Sequence, residues 1–184
     1  MSALPWDGVS IPPAATAVIK RIEVFSRTPY DDNGSRPGGI WTIGYGTTID
    51  AAGNPVTVDT PAITEVQADE LLLRDMASAA HAIKRHVSVA LTGYEAAALI
   101  SWTYNLGGSS LAQSTMLLRL NASRKAEVPA EMRKWIRQGG QPLIGLLRRR
   151  WAEAAIFSGV EAQRACDLAW ESIAALDHWP AFPL

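Results

Sequence analysis

The chain has 184 residues, of which 48% are apolar and 19% charged, a size that suits one compact domain with a buried core. Its formal net charge of −1 argues against attachment to nucleic acid through overall charge, which needs many Lys and Arg side chains facing phosphates. The single cysteine, Cys166, excludes an internal disulfide framework and a multi-cysteine metal site, and we expect it in the core. Apolar runs are too short to cross a bilayer, so we expect no membrane insertion.

Residues 1–13 are rich in turn formers and end in Pro12-Pro13, which predicts an N-terminal arm that leads into a helix. This stretch lacks a basic region followed by an apolar one, so we expect a chain made in the cytoplasm without a signal peptide. From Ala14 onwards apolar residues recur at helical spacing and predict a helix to about Ser26, with Glu23 near its end.

Residues 27–61 form a turn-rich segment that predicts a small hairpin lobe. The stretches "DDNGSRPGG" and "AAGNP" are turn signals, and "IWTIGYGTT" (residues 40–48) between them predicts a short strand. Gly44 and Gly46 are unusual inside a strand and indicate a bend or a close approach by a ligand.

The rest of the chain is predicted to be helical. Capping boxes at Thr64–Gln67 and Thr92–Glu95 open a long helix and a strongly apolar helix, and Gly107-Gly108 should end the second. Further helices are predicted over residues 115–122, 130–137 and 143–157 and in "EAQRACDLAWESIAAL". These elements together predict an α+β fold that is mostly helical with a small β-hairpin lobe near its start.

Three residues on consecutive predicted elements could carry chemistry: Glu23 on a helix end, Asp32 in the loop "YDDNG" and Thr42 on the strand. A carboxyl group that is partly shielded from water can hold a proton at neutral pH, as a general acid requires. Taken singly, Glu23 could instead pair with Arg27, Asp32 suits a turn, and Thr42 suits any strand. Together, two carboxyl groups and a hydroxyl can protonate a leaving oxygen and hold a water opposite it.

The series Glu23, Asp32 and "TIGYG" from Thr42 resembles the active site of the phage-type lysozyme family of endolysins or muramidases, to which bacteriophage T4 lysozyme belongs. The stretches "LTGYEAAALISWTYNLG", "STMLLRLNA" and "GLLRRRWAEAAIFSG" are similar to later family segments in the same order. The resemblance implies a lysozyme-like fold with a cleft between two lobes. It also implies a catalytic domain over residues 14–159 and a C-terminal helical extension, residues 160–184, packed on that domain.

The resemblance further implies a muramidase that hydrolyses the β-1,4 bond between N-acetylmuramic acid and N-acetylglucosamine without a metal or cofactor. Glu23 would be the acid, Asp32 would stabilise positive charge or orient water, and Thr42 would help place that water. Inversion is implied, for which the two carboxyl groups stand about 6.5 to 9.5 Å apart. We expect a monomer that acts on peptidoglycan strands of the periplasmic wall after release with the help of a holin.

Departures from the family pattern leave alternatives open. Nine residues separate Asp32 from Thr42, which is more than is common in the family, so "SRPG" looks like an insertion and Asp31 remains an alternative carboxylate. Thr47 stands where the family commonly has His, and we expect this change to affect packing more than chemistry.

Two other features of the helical region stay open. Asn105 is either a sugar-binding residue or a helix C-cap. The resemblance also implies an arginine near the acid, so one among Arg148, Arg149 and Arg150 is expected to pair with Glu23. The alternative functions are a lytic transglycosylase, which forms an anhydro sugar, and a non-catalytic module that binds the cell wall.

Overall fold

The computed structural model describes residues 5–32 and 39–183, and the predicted insertion "SRPG" (residues 35–38) lies outside them. The described chain forms eight α-helices and two small antiparallel sheets of two strands each. The helices are α1 (Pro13–Ile22), α2 (Glu65–His86), α3 (Gly93–Leu106), α4 (Gly108–Gln113), α5 (Thr115–Asn121), α6 (Val128–Met132), α7 (Ile144–Phe157) and α8 (Ala162–Ser172). The strands are β1 (Ser26–Asp31), β2 (Trp41–Gly44), β3 (Arg137–Gln138) and β4 (Gln141–Pro142). The predicted α+β fold is confirmed.

The hairpin lobe is built on β1 and β2, which pair Tyr30 with Thr42. A tight turn ends β2, where the backbones of Ile43 and Thr47 exchange two hydrogen bonds of 3.0 Å. Gly44 and Gly46 lie in this turn with φ angles of +67° and +97°, which only glycine adopts readily. The strand is therefore shorter than the predicted 40–48, and the glycines belong to its closing turn.

Two predicted helix ends are wrong. The first helix ends at Ile22 rather than near Ser26, because Glu23 adopts an extended conformation (φ −84°, ψ 119°) and the hairpin begins three residues later. The helix expected over residues 130–137 ends at Met132, and Arg137 instead enters the hairpin of β3 and β4. The short helix α4 was not predicted, since its two neighbouring glycines suggested only a stop.

Helix α3 is the centre of the domain, and every residue from Glu95 to Thr103 is buried. It packs against α1, α2, α4 and α7, while α8 covers α1 and α7 from the outside. Cys166 on α8 is fully buried, as expected, and burial raises the pKa of its thiol to about 12.

Both ends of the described chain pack against this helical body. In the N-terminal arm, the Trp6 backbone N–H donates to the Leu91 carbonyl at 2.7 Å, just before α3. In the C-terminal tail, Trp151 Nε1 donates to the Pro180 carbonyl at 2.9 Å, and the rings of Trp151 and Phe182 lie 5.4 Å apart.

The capping box of α2 provides a test of the fold's local energetics. Thr64 Oγ1 accepts from the Gln67 backbone N–H at 3.2 Å, and Gln67 Oε1 accepts from the Thr64 backbone N–H at 2.8 Å. We expect Thr64→Ala to lower the free energy of unfolding by about 1 kcal/mol, because the exposed cap loses its acceptor. Urea denaturation measures the change. Thr64→Ser keeps the acceptor and should stay within a few tenths of a kcal/mol of the parent; equal losses for both variants would contradict the capping role.

Candidate active site

A cleft of about 520 Å³ lies between the hairpin lobe and the helices. Its lining includes the residues that the sequence singled out: Glu23, Asp32, Thr42 and Asn105. The other lining residues are Tyr30, Ile40, Gly46, Thr48, Ile49, Asp75, Ser78, Ala79, Ala82, Thr103, Tyr104, Gly107 and Gly108. The fold thus brings the four candidates, which come from four different segments, to one open site.

Glu23 lies where α1 ends. Its backbone N–H still donates to the Ile19 carbonyl at 2.7 Å, and its side chain, 25% exposed, reaches the cleft. A Cβ atom on Gly46 would lie 4.0 Å from Glu23 Oε2, so the glycine turn of the hairpin lobe comes close to the carboxyl group. The two lobes therefore meet at Glu23.

Of the two neighbouring aspartates, Asp32 is the one that lines the cleft. Its backbone N–H donates to the Ile40 carbonyl at 3.1 Å, which continues the hairpin, and its side chain is exposed. The carboxylate of Asp31 lies instead against Gly39, where an added Cβ would approach both oxygens to 2.4 Å. Asp31 is the last residue of β1 and Asp32 the first residue after it, and their side chains have different surroundings.

Two threonine hydroxyls beside the cleft are buried. Thr42 is 4% exposed and Thr103 is 2% exposed. In the described part of the chain, neither Oγ1 atom has a hydrogen-bond partner. An unsatisfied buried hydroxyl costs about 1 to 3 kcal/mol, so either hydroxyl would gain from a hydrogen bond to a group bound in the cleft.

Two arginine side chains of α7 are buried behind the cleft and contact residues that line it. Arg149 Nη1 donates to Glu23 Oε1, and Arg150 Nη2 donates to Asn105 Oδ1 at 2.9 Å. Arg148 points elsewhere, with its Nε donating to the Ile173 carbonyl at 3.0 Å. Among the three arginines that the sequence left open, Arg149 is the partner of Glu23.

Both site arginines share one buried carboxylate, Glu153, which the sequence reading missed. Glu153 Oε1 accepts from Arg149 Nε at 3.2 Å, from Arg150 Nη2 at 3.1 Å and from Ser101 Oγ at 2.7 Å. Arg150 Nε also lies 2.9 Å from Glu153 Oε2, as an ion pair without the alignment of a hydrogen bond. The available signal was the spacing of Glu153, three and four residues after the arginines.

Burial and charge act in opposite directions on these arginines. Burial lowers the pKa of Arg149, but the negative charges of Glu153 and Glu23 outweigh it, and the net pKa is raised. Burial lowers the pKa of Arg150 to about 10. Both guanidinium groups therefore carry a positive charge at neutral pH. They lie beside the fully buried carboxylate of Glu153 and the carboxyl group of Glu23 at the cleft.

The end of α3 contributes two more side chains. Tyr104 Oη donates to the Tyr45 carbonyl at 2.8 Å, which joins the central helix to the hairpin lobe. Burial, followed by the negative charge of Glu23, raises the Tyr104 pKa, so its hydroxyl remains a donor. Asn105 is not the C-cap of α3, since Gly107 takes that position with φ +85°. Asn105 Oδ1 accepts a hydrogen bond from Arg150, so the amide nitrogen of Asn105 is left to donate into the cleft. The hydrogen-bond network decides which amide atom is oxygen and which is nitrogen.

The far wall of the cleft is held by Thr47, Arg74 and Asp75, which the sequence reading did not connect. The Thr47 hydroxyl, in the position of the family's usual His, donates to Asp75 Oδ2. Arg74 donates to the Ile49 and Asp50 carbonyls at 2.7 Å each and pairs with Asp75 at 2.9 Å. Thr47 and Asp75, like Arg74 and residues 49 and 50, lie more than 20 residues apart in sequence, so no helical or strand periodicity connects them.

Comparison with known proteins places the chain in a family. Residues 20–153 match the phage lysozyme family. The chain is 32% identical over 144 residues to an endolysin of Acyrthosiphon pisum secondary endosymbiont phage 1, covering 76% of this chain and 92% of that protein. The fold matches an endolysin from Escherichia coli O157:H7 phage FAHEc1 with a TM-score of 0.73 at 31% identity, covering 85% of this chain and 97% of that one.

A second structural match is the muramidase domain of SpmX from Asticaccaulis excentricus, with a TM-score of 0.68 at 29% identity, covering 81% of this chain and 97% of that one. The chain belongs to the phage lysozyme family. It is a lysozyme-type glycosidase, as the resemblance of its motifs indicated.

Residues 5–32 and 39–183 lack both a membrane-spanning helix and a cluster of metal ligands. No helix in these ranges combines the length and apolar character needed to cross a membrane. The same ranges hold no group of three or more His, Cys, Asp or Glu side chains that could bind a metal ion.

The far wall can be tested through Arg74. We expect Arg74→Met to lower the free energy of unfolding by about 1 to 2 kcal/mol, because the hydrogen bonds from the charged guanidinium group are lost. The loss is not larger because Arg74 is partly exposed, which reduces the contribution of these bonds to stability. Thermal and urea denaturation measure the loss. Arg85→Met, at an exposed position on the same helix, is the matched control; equal effects of the two variants would show that the contacts to residues 49 and 50 do not hold the wall.

Proposed function

We propose that this lysozyme hydrolyses the β-1,4 bond between N-acetylmuramic acid and N-acetylglucosamine in peptidoglycan. Glu23 is the general acid, Asp32 the second carboxylate and Thr42 a residue that positions water. The observation that carries the proposal is the shared cleft, in which Glu23 is held by Arg149 while Asp32 and Thr42 line the same open space. Endolysin and muramidase relatives support the choice of substrate.

In the first step Glu23 gives its proton to the glycosidic oxygen of the leaving sugar. The carboxylate that forms accepts a charge-assisted hydrogen bond from Arg149 Nη1, which strengthens as the negative charge develops. Arg149 is itself 4% exposed and tied to Glu153, so it needs little rearrangement during the reaction.

In the second step the bond from the sugar carbon to the leaving oxygen breaks, positive charge develops on that carbon, and water attacks it and loses a proton to Asp32 or to solvent. Asp32, on the hairpin lobe, stabilises this charge or orients the water, and Thr42 rotates its unpaired hydroxyl into the cleft to bind the same water. The amide nitrogen of Asn105 donates to a carbonyl oxygen, for which the N-acetyl group of the substrate is suited. A water held between two carboxyl groups gives inversion.

The setting of the reaction follows from the same relatives. The endolysin relatives support action on the cell wall of a bacterial host. We extend the proposal to synthesis in the cytoplasm, release with a holin, and a monomeric enzyme without metal or cofactor. Residues 14–159 would form the catalytic domain, with residues 1–13 as an arm and residues 160–184 as an extension of the same domain.

The reaction is tested by mass spectrometry of soluble products released from Gram-negative peptidoglycan. The parent should give products that end in reducible muramic acid, and Glu23→Gln should lower the rate by at least about 1,000-fold, because an amide cannot donate the proton. Glu70→Gln, at an exposed position on α2, is the matched control and should keep the parent rate. Products lighter by one water would make the enzyme a transglycosylase, and no products from the parent would favour a binding module.

The choice between the two aspartates is tested by Asp32→Asn and Asp31→Asn. We expect the first to lower kcat by about 100-fold or more and the second by less than about tenfold, since Asp32 lines the cleft and Asp31 lies against Gly39. Thermal unfolding of each variant separates lost folding from lost chemistry. A larger loss of kcat for folded Asp31→Asn would reverse the assignment, and NMR of the first-formed anomer reports inversion or retention.

A further inference from the structure

The proposed reaction uses residues at the cleft and leaves unexplained the carboxylate of Glu153 in the centre of the domain. Its side chain is fully buried on α7, and so is that of Arg150. An ion pair this deep contributes little net stability, because well-packed apolar residues of similar volume are often as stable or more so. The presence of charged groups here therefore calls for a reason other than packing.

The contacts of Glu153 suggest that reason. Each of its two arginine partners contacts Glu153 and also a side chain that lines the cleft. Through Arg149 the chain of contacts leads to the acid Glu23, and through Arg150 it leads to Asn105. Ser101 on α3 fixes the carboxylate from the other side at 2.7 Å.

We propose that Glu153 is a positioning residue for the reaction, acting through Arg149 on Glu23 and through Arg150 on Asn105. The buried carboxylate of Glu153 then fixes the orientation of the acid Glu23. It also ensures that Asn105 turns its amide nitrogen, a donor, towards the substrate. This inference rests on the proposed function, because that function defines the roles of Glu23 and Asn105, the two residues that Glu153 would position.

The charge of Glu153 matters as well as its shape. Glu153 faces Arg149 and Arg150 on its own helix, Ser101 on α3 and Cys166 on α8, whose thiol stays protonated because burial raises its pKa to about 12. Glu23 in turn faces Arg149, with the charge of Arg150 and the neutral Tyr104 hydroxyl nearby. The negative charge of Glu153 offsets the repulsion between Arg149 and Arg150, and so lets both guanidinium groups stay beside their partners at the cleft.

The test is Glu153→Gln, which keeps the shape and removes the charge. We expect kcat to fall by about 30-fold or more, because Arg149 no longer holds Glu23 in the orientation that proton transfer needs. KM should rise as well, through Asn105. Glu131→Gln changes a buried glutamate of α6 that pairs with Lys134 away from the cleft; it is the matched control and should keep the parent kcat and KM.

The kinetic constants, measured beside thermal unfolding, separate positioning from a purely structural role. A folded Glu153→Gln enzyme with kcat and KM each within about twofold of the parent overturns the proposal. If this variant does not fold, Ser101→Ala decides, because it removes one bond to Glu153 without changing any charge. A loss of kcat of about three- to tenfold in the folded Ser101→Ala enzyme supports positioning, and no loss rejects it. Glu23→Gln is measured alongside, and parental activity in that variant would refute the proposed function itself.

Discussion

Two guanidinium groups on one turn of α7 share a single buried carboxylate, and the site depends on how these charges are balanced. Arg149 and Arg150 follow each other in sequence, so their positive charges repel in an interior where water cannot screen them. Glu153 pairs with both, and Ser101 on the central helix donates a third hydrogen bond to the same oxygen, Oε1. The same two guanidinium groups also bind Glu23 and Asn105, the acid and the amide that line the cleft.

This arrangement requires α3, α1 and the hairpin lobe to lie at particular positions around α7. Helix α3 must come close to α7, and at Ser101 it does so through a small side chain that bonds directly to Glu153. Helix α1 must end at the cleft, and it does so because Glu23 leaves the helical conformation. The hairpin lobe must approach Glu23 without covering it, which the left-handed backbone of Gly46 permits. Tyr104 fixes that approach by bonding to the Tyr45 carbonyl.

The sequence predicted best what is decided locally. Both capping boxes form as expected, because Ser or Thr followed three residues later by Glu or Gln satisfies the first turn of a helix by itself. The motif "TIGYG" correctly pointed to a turn at the cleft. The end of α1 was misplaced because the apolar pattern continues through Phe25, and only pairing with β2 decides that Ser26 belongs to a strand. The helix expected to residue 137 failed for the same reason, through the hairpin at Arg137.

The sequence could indicate which residues belong to the candidate site, but not the hydrogen bonds and ion pairs that connect them. Glu23, Asp32 and Thr42 were found through the order of their motif, whereas the choice of Arg149 over its neighbours depends on the rotation of α7 against α3. Glu153 and the wall formed by Thr47, Arg74 and Asp75 depend on contacts between distant segments. Such contacts follow from packing and leave no trace in spacing along the chain.

The most direct test of the account is a crystal structure of the Glu23→Gln variant with a peptidoglycan tetrasaccharide bound. The account predicts the glycan in the cleft, with the glycosidic oxygen within about 3 Å of the residue 23 side chain, Asp32 on the far side of the sugar ring and a water between that ring and Thr42. A glycan bound outside the cleft, or with its glycosidic oxygen beyond hydrogen-bond reach of residue 23, would contradict it.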